Sequence, residues 1–217
     1  MIKAVIFDMD GVLIDSEIAY CAKLDTFFQE KGYPYNDAGI KELIGCSVTM
    51  SIEIVEKMTG CMDGVALWDE FYAWLETNPI DFLAIRVPEA IELMDYLKKK
   101  QYKIGLCSST KPNDIAWQMK DAGLYDYFDV IISGEEVACG KPAPDVYLEA
   151  LKRLGLMPKE AIVVEDSTYG IKAAKAAEVK CVFARSVEGL PIDQHEADHQ
   201  ITNLLEIIPY LEYARAE

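Results

Sequence analysis

Five short runs of apolar and β-branched residues, KAVIF, YKIGLC, DVIIS, AIVVE and KCVFA, alternate along the chain with stretches of helical periodicity. This alternation constrains the fold more than any other feature of the sequence. Strands that alternate with helices pair in parallel, because each return to the sheet needs a crossover long enough to hold a helix. The stretches PEAIELMDYLKKK, DIAWQMKDAG, PDVYLEALKRLG and STYGIKAAKAAEV meet that need. Pro88 stands where a first helical turn tolerates it, and Gly123 closes the second stretch. The expectation is an α/β chain built on a doubly wound parallel sheet.

Between the first run and the second the pattern changes. From Ser16 to Ile85 no convincing strand occurs, and four helical pieces follow one another: SEIAYCAKLDTFFQEKG, DAGIKELIG, TMSIEIVEKMTG and GVALWDEFYAWLE. In the first, Ile18, Cys21, Leu24, Phe27 and Phe28 fall on one face and Gly32 closes the helix. An all-helical cap domain over 15–86 is therefore predicted as an insert in a core formed by 1–14 and 87–217. The chain leaves the core after Leu13 and Ile14 and returns near Arg86 and Val87, two adjacent connections suited to a hinge. An insert of this length suits a lid.

Charge narrows the partners. The 217 residues carry a formal charge of −16, which repels phosphate backbones and anionic headgroups, so nucleic acid and membrane are not expected as partners. Six cysteines, Cys21, Cys46, Cys61, Cys107, Cys139 and Cys181, share no metal-like spacing and read as reduced thiols. The apolar run Ala4 to Phe7 is too short for a signal peptide or a span, and a cytoplasmic location follows by default. Oligomeric state is not legible in the sequence.

In a doubly wound sheet the loops at the carboxyl ends of the strands surround the ligand crevice. KAVIF delivers Asp8 and Asp10; YKIGLC delivers Ser108, with Ser109 and Thr110 behind it; DVIIS leads through GEEVACG to Lys141; AIVVE delivers Glu165 and Asp166. Each has a plain structural reading. Ser108 suits a turn, Lys141 a solvated loop, Glu165 and Asp166 the start of the helix near Thr168, and Asp15 with Ser16 the start of the first insert helix. Their convergence favours chemistry. Two unit charges about 4 Å apart repel by roughly 4 kcal/mol at an effective dielectric near 20, so one lysine does not offset four carboxylates. A hard divalent cation does, and Mg²⁺ takes a few carboxylate oxygens with waters and substrate phosphate. The candidate metal-ligating residues are Asp8, Asp10, Glu165 and Asp166, with Asp8 and Asp166 the best placed. Lys141 and the Ser108 hydroxyl then suit phosphoryl oxygens, Asp8 a nucleophile that forms an aspartyl phosphate, and Asp10 a general acid and base.

These residues give the chain its resemblance to the haloacid dehalogenase superfamily, in the branch with a helical cap after the first motif. The first motif is met by Asp8-Met9-Asp10-Gly11-Val12 and the second by Ser108. The third is met by Gly140-Lys141-Pro142-Ala143-Pro144-Asp145 and the fourth by Glu165-Asp166-Ser167 with Gly170. The resemblance covers essentially the whole chain. It implies a Rossmann-like core, Mg²⁺, an aspartyl-phosphate intermediate at Asp8 and phosphatase activity on a small phosphorylated metabolite. Asp10 sets the chain apart from the superfamily's dehalogenases, which need no acid there.

The chain also resembles the β-phosphoglucomutases of that branch, with two departures. Tyr20 stands where those mutases carry a His, and Val48 where they carry an Arg that grips a second phosphate; Lys41 and Lys57 are nearby cations. The expectation is thus a Mg²⁺-dependent phosphatase acting on a sugar phosphate, with a hexose phosphate mutase as the alternative. A receiver-like phospho-Asp module is the remote alternative, because receivers are shorter, lack a helical insert and carry the phosphorylated Asp on a middle strand. Cap residues Tyr20, Gly45, Cys46, Ser47 and Val48, with Ser109 of the core, are the candidate substrate contacts. Trp68, Phe71, Tyr72 and Trp74 recur at helical spacing and read as cap core before ligand contact. His195 and His199 lie away from every motif and read as surface residues.

Overall fold

Strand β1 (Ala4–Phe7) is followed by four helices, α1 (Ser16–Lys31), α2 (Asp37–Glu42), α3 (Val48–Thr59) and α4 (Gly64–Thr77). Strands and helices then alternate: α5 (Ala90–Lys99), β2 (Lys103–Ser108), α6 (Pro112–Asp121), β3 (Val130–Ser133), α7 (Asp145–Leu154) and β4 (Ala161–Glu165). The chain ends with α8 (Thr168–Ala176), β5 (Cys181–Arg185), β6 (His199–Ile201) and α9 (Ile207–Ala216). The structure is a computed structural model that describes residues 1–43, 48–187 and 192–216.

All six strands form one parallel sheet in the order β3-β2-β1-β4-β5-β6. Strand β1 sits between β2 and β4, with Ala4 opposite both Lys103 and Ala161. All four of its residues are buried, as befits a central parallel strand covered on both faces. Strand order reverses direction beside β1, so the chain emerging at Asp8 enters the crevice where such sheets bind ligands. On one face, Ile6, Cys107, Val163 and Val182 pack with Val146, Tyr147 and Ala150 of α7 and Ile171 and Ala174 of α8. Strand β6 was not expected. Its sequence is HQI, an edge strand with only Ile201 buried, so no apolar run announces it.

The chain divides into two units, Met1–Asp15 with Phe82–Glu217, and the helical Ser16–Asp81. The helical unit is thus narrower than the expected 15–86. Residues 82–86 stay with the sheet because the two connecting limbs pair with each other. Asp15 N–H donates to Ile85 O at 2.9 Å, and Val87 N–H to Leu13 O at 2.9 Å. Phe82 is fully buried, and its N–H donates to the Asp121 carboxylate at 3.0 Å.

Inside the helical unit, Leu24, Phe27 and Phe28 of α1 pack with Val55, Leu67 and Phe71. Phe27 lies 5.4 Å from Phe71 and 5.7 Å from Trp74, centroid to centroid. Ile18, expected on the same buried face, is 45% exposed, and the apolar cluster of this unit takes in α1 from Tyr20 onward. No helix among the described residues is long and apolar enough to cross a membrane.

Candidate active site

Asp8 follows directly on β1 and remains in the ladder, its N–H donating to Val164 O at 2.9 Å. The chain then turns sharply. Leu13 and Ile14 N–H both donate to Met9 O, and Gly11 N–H donates to Ile14 O at 2.8 Å. Gly11 adopts φ +70°, and a Cβ there would lie 2.0 Å from Asp166 Oδ2. Only glycine meets both demands at once. The close approach brings the Asp8–Asp10 turn against Asp166, the first residue of the loop after β4.

Lys141 arrives from the loop after β3, its peptide bond to Pro142 in the cis form. Its side chain is 7% exposed, and its Nζ donates to Asp8 Oδ1 at 2.5 Å, Glu165 Oε1 at 2.6 Å and Cys107 O at 3.1 Å. An ammonium has three protons, so its hydrogen-bonding capacity is met. Glu165 is saturated too. Its Oε1 also accepts from the Tyr147 hydroxyl at 2.6 Å, and its Oε2 accepts from Asp166 N–H, Ser167 N–H and Ser167 Oγ. Ser167 also caps α8 by accepting from Gly170 N–H at 3.0 Å, the role expected of Glu165 and Asp166. Gly170 gives Glu165 its space, since a Cβ there would lie 1.7 Å from Oε1.

Asp8, Glu165 and Asp166 are all buried, and one carboxylate oxygen from each lies within 4.8 Å of the others. Burial pushes the Asp8 carboxyl up to about 8; Lys141 pulls it down, while Glu165 and Asp10 add to the rise. Burial also works against the Glu165 carboxylate, yet the charge and hydrogen bond of Lys141, with the Tyr147 hydroxyl, hold it below its ordinary range. The same pairing outweighs burial at Lys141 and keeps its ammonium protonated. Near neutral pH Lys141⁺ therefore stands against Glu165⁻, while burial favours the proton on Asp8.

Asp10, expected as a fourth metal-ligating residue, is not part of the three-carboxylate group. Its Oδ2 accepts from Thr110 Oγ1 at 3.2 Å. Ser108 ends β2, is buried, and its Oγ accepts from Thr110 N–H at 3.0 Å; Ser133 Oγ donates to Thr110 O at 2.7 Å. Ser109 is exposed. Of the expected cap contacts, Gly45, Cys46 and Ser47 fall outside the described residues, as do the side chains of Val48 and Lys41. Tyr20 is half-buried and lines a cavity of about 150 Å³ within the helical unit, together with Glu17, Ser51, Trp68, Phe71 and Tyr72. The Trp68 indole N–H is buried with no hydrogen-bond partner among the described residues. Phe71 and Trp74 belong to the aromatic core, and Trp74 Nε1 donates to Glu30 at 2.8 Å. Both His195 and His199 are exposed, and His199 stacks on Phe183.

Sequence reasoning places Thr110 only behind Ser108, with no role, and does not find Tyr147, Arg185 or Gln194. The model of the haloacid dehalogenase-like hydrolases matches residues 5–184. A phosphorylated carbohydrates phosphatase of Thermotoga maritima is 30% identical over 181 residues, 83% of this chain and 84% of that protein. A validoxylamine A 7'-phosphate phosphatase of Streptomyces hygroscopicus subsp. limoneus is 32% identical over 185 residues, covering 84% and 85%. Among solved structures, that of a putative β-phosphoglucomutase from Thermotoga maritima superposes with a TM-score of 0.84 at 28% identity, over 98% of this chain and 99% of the other.

Proposed function

We propose that this chain, which belongs to the haloacid dehalogenase-like hydrolase family, hydrolyses a small sugar phosphate through a phosphoryl group carried on Asp8. It is a phosphoric monoester hydrolase. One observation carries the mechanistic reading: three buried carboxylates converge, and a single ammonium pairs with two of them, Asp8 and Glu165. Both Glu165 oxygens accept from Lys141, Tyr147 and the donors around Ser167, so Asp8 and Asp166 are the carboxylates we assign to a shared cation. Hard oxygen donors in this arrangement fit Mg²⁺, which Asp8 and Asp166 would hold and which would draw an anionic phosphoryl group to the site.

The protein's own groups then divide the work. An Asp8 carboxylate oxygen forms a bond to phosphorus as the ester P–O bond breaks, and Asp10 gives its proton to the departing alcohol oxygen. Thr110, bonded to both Asp10 and Ser108, aligns the acid. Water next attacks phosphorus, Asp10 takes its proton, and the bond to Asp8 breaks to release phosphate. Lys141 and the Ser108 hydroxyl balance charge on the phosphoryl oxygens. For the organic group we take a small ring with hydroxyls, a sugar. The carbohydrate named in one relative's description agrees with this class.

Water is the expected acceptor because Val48 offers no positive charge to hold a second phosphate. Incubated with β-glucose 1-phosphate, Mg²⁺ and a trace of glucose 1,6-bisphosphate, the enzyme should form free phosphate with little glucose 6-phosphate. Rapid glucose 6-phosphate formation without free phosphate would instead make it a mutase.

Cation binding should depend on pH with a definite sign. Asp8 must lose its proton to ligate, so the apparent affinity for Mg²⁺ should rise about tenfold per pH unit up to about 8 and level off above it. Calorimetry in buffers of different ionisation enthalpy should show about one proton released per ion at pH 7 and almost none at pH 9. Absence of release at pH 7 would mean that Asp8 is not a ligand.

A further inference from the structure

The end of β5 reaches both acidic loops. Arg185, its last residue, is buried, and its Nη1 donates to Gly11 O at 2.7 Å and Asp15 Oδ1 at 2.6 Å. Gly11 directly follows Asp10, and Asp15 closes the same turn, so one guanidinium spans the turn from its catalytic end to its exit. The Arg185 carbonyl accepts from Gln194 Nε2 at 2.8 Å, and the same amide nitrogen donates to Asp166 O at 2.6 Å. Gln194 is itself buried, and Ser186 Oγ fixes its orientation by donating to Oε1 at 2.8 Å. Two side chains thus tie the backbone beside Asp10 and the backbone of Asp166 to a single strand end. Neither belongs to the four motifs, and both lie beyond the 5–184 that the family model matches.

We propose that Arg185 and Gln194 are positioning residues that set the separation between the Asp8–Asp10 turn and Asp166, so that both carboxylate-bearing loops meet one phosphoryl group in register. The proposal rests on the phosphatase reading for its kinetic part alone. A Cβ at Gly11 would meet Asp166 Oδ2 at 2.0 Å, so the two loops leave little room between them for a displaced Gly11 backbone. Misplacement of a reacting group by about 1 Å costs on the order of 10²-fold in rate. Both bonds come from Nη1, which stands one covalent bond farther from the backbone than a lysine Nζ, so an ammonium at 185 keeps the charge but not the reach to Gly11 O and Asp15. At Asp15, an amide retains an oxygen for the guanidinium and leaves the Gly11 contact in place.

The test compares Arg185→Lys, Asp15→Asn and Gln194→Ala with the wild-type chain. Arg185→Lys should lower kcat by ten- to a hundredfold with KM changed less than about threefold. Asp15→Asn, which weakens the ion pair but spares Gly11, should keep kcat within about threefold. For Gln194→Ala, binding of Mn²⁺ followed by electron paramagnetic resonance without substrate should weaken at least about fivefold. That readout stands whether or not a phosphate ester is turned over, so failure of the phosphatase reading leaves it decisive. Equal kcat losses in Arg185→Lys and Asp15→Asn that track their losses in Tm would reduce Arg185 to a structural ion pair. Unchanged Mn²⁺ affinity in Gln194→Ala would overturn the proposal for Gln194.

Discussion

Asp8→Asn should release no phosphate above background, a loss of about 10⁴-fold or more in kcat, while the protein folds as before. An amide has the shape of the carboxylate but does not attack phosphorus or carry a phosphoryl group. Its stability should also change with pH in a predictable direction. Asp8 is raised from the usual 3.8 to about 8, so between those values the folded chain binds a proton that the unfolded chain does not. Through this group the wild type therefore loses stability as pH rises across that window, and Asn at the same place does not. In metal-free buffer, the Tm of Asp8→Asn should gain on that of the wild type from pH 5 to pH 8. A gain in the opposite direction would contradict the protonated state assigned to Asp8.

Lys141→Met removes the only ammonium bonded to Asp8 and Glu165 among the described residues and leaves the fully buried Glu165 facing two other carboxylates. Breaking a buried pair from one side costs about 3–5 kcal/mol, because the remaining charge keeps its desolvation penalty. Urea unfolding without metal should show a loss of that size, and activity should fall by at least about 10²-fold. Arg at the same place is not expected to restore either, since a planar guanidinium does not reproduce three converging bonds from one nitrogen. A stability loss below about 1 kcal/mol would mean that Lys141 does not hold the carboxylates together.

Much of this architecture was legible because strand ends are legible. Apolar runs stop abruptly at Asp8, Ser108 and Glu165, and a parallel sheet sends all those stops to one edge. Tyr147 gave no such signal. It lies on the apolar face of α7 and packs as core; only its hydroxyl, paired with Glu165 eighteen residues away, belongs to the site. Arg185 reads as a surface charge that ends KCVFA, and its partners are more than 150 residues distant in sequence. Gln194 sits in a stretch without periodicity, where an amide's two backbone acceptors leave no trace in the sequence. Conversely, Ile18 fits the helical stripe of α1 but is exposed, because periodicity records which residues share a face and not how far along the helix that face is covered.

The central claim is that Asp8 carries the phosphoryl group. An acyl phosphate on aspartate is reduced by borohydride to homoserine, whereas a free carboxylate is not. The enzyme, mixed with excess sugar phosphate and Mg²⁺, quenched within a single turnover and treated with borohydride, should yield on peptide sequencing by mass spectrometry a homoserine at position 8. Asp8→Asn, treated in the same way, should yield none. Homoserine at another aspartate, or phosphate release at full rate with residue 8 unmodified at every quench time, would contradict the account.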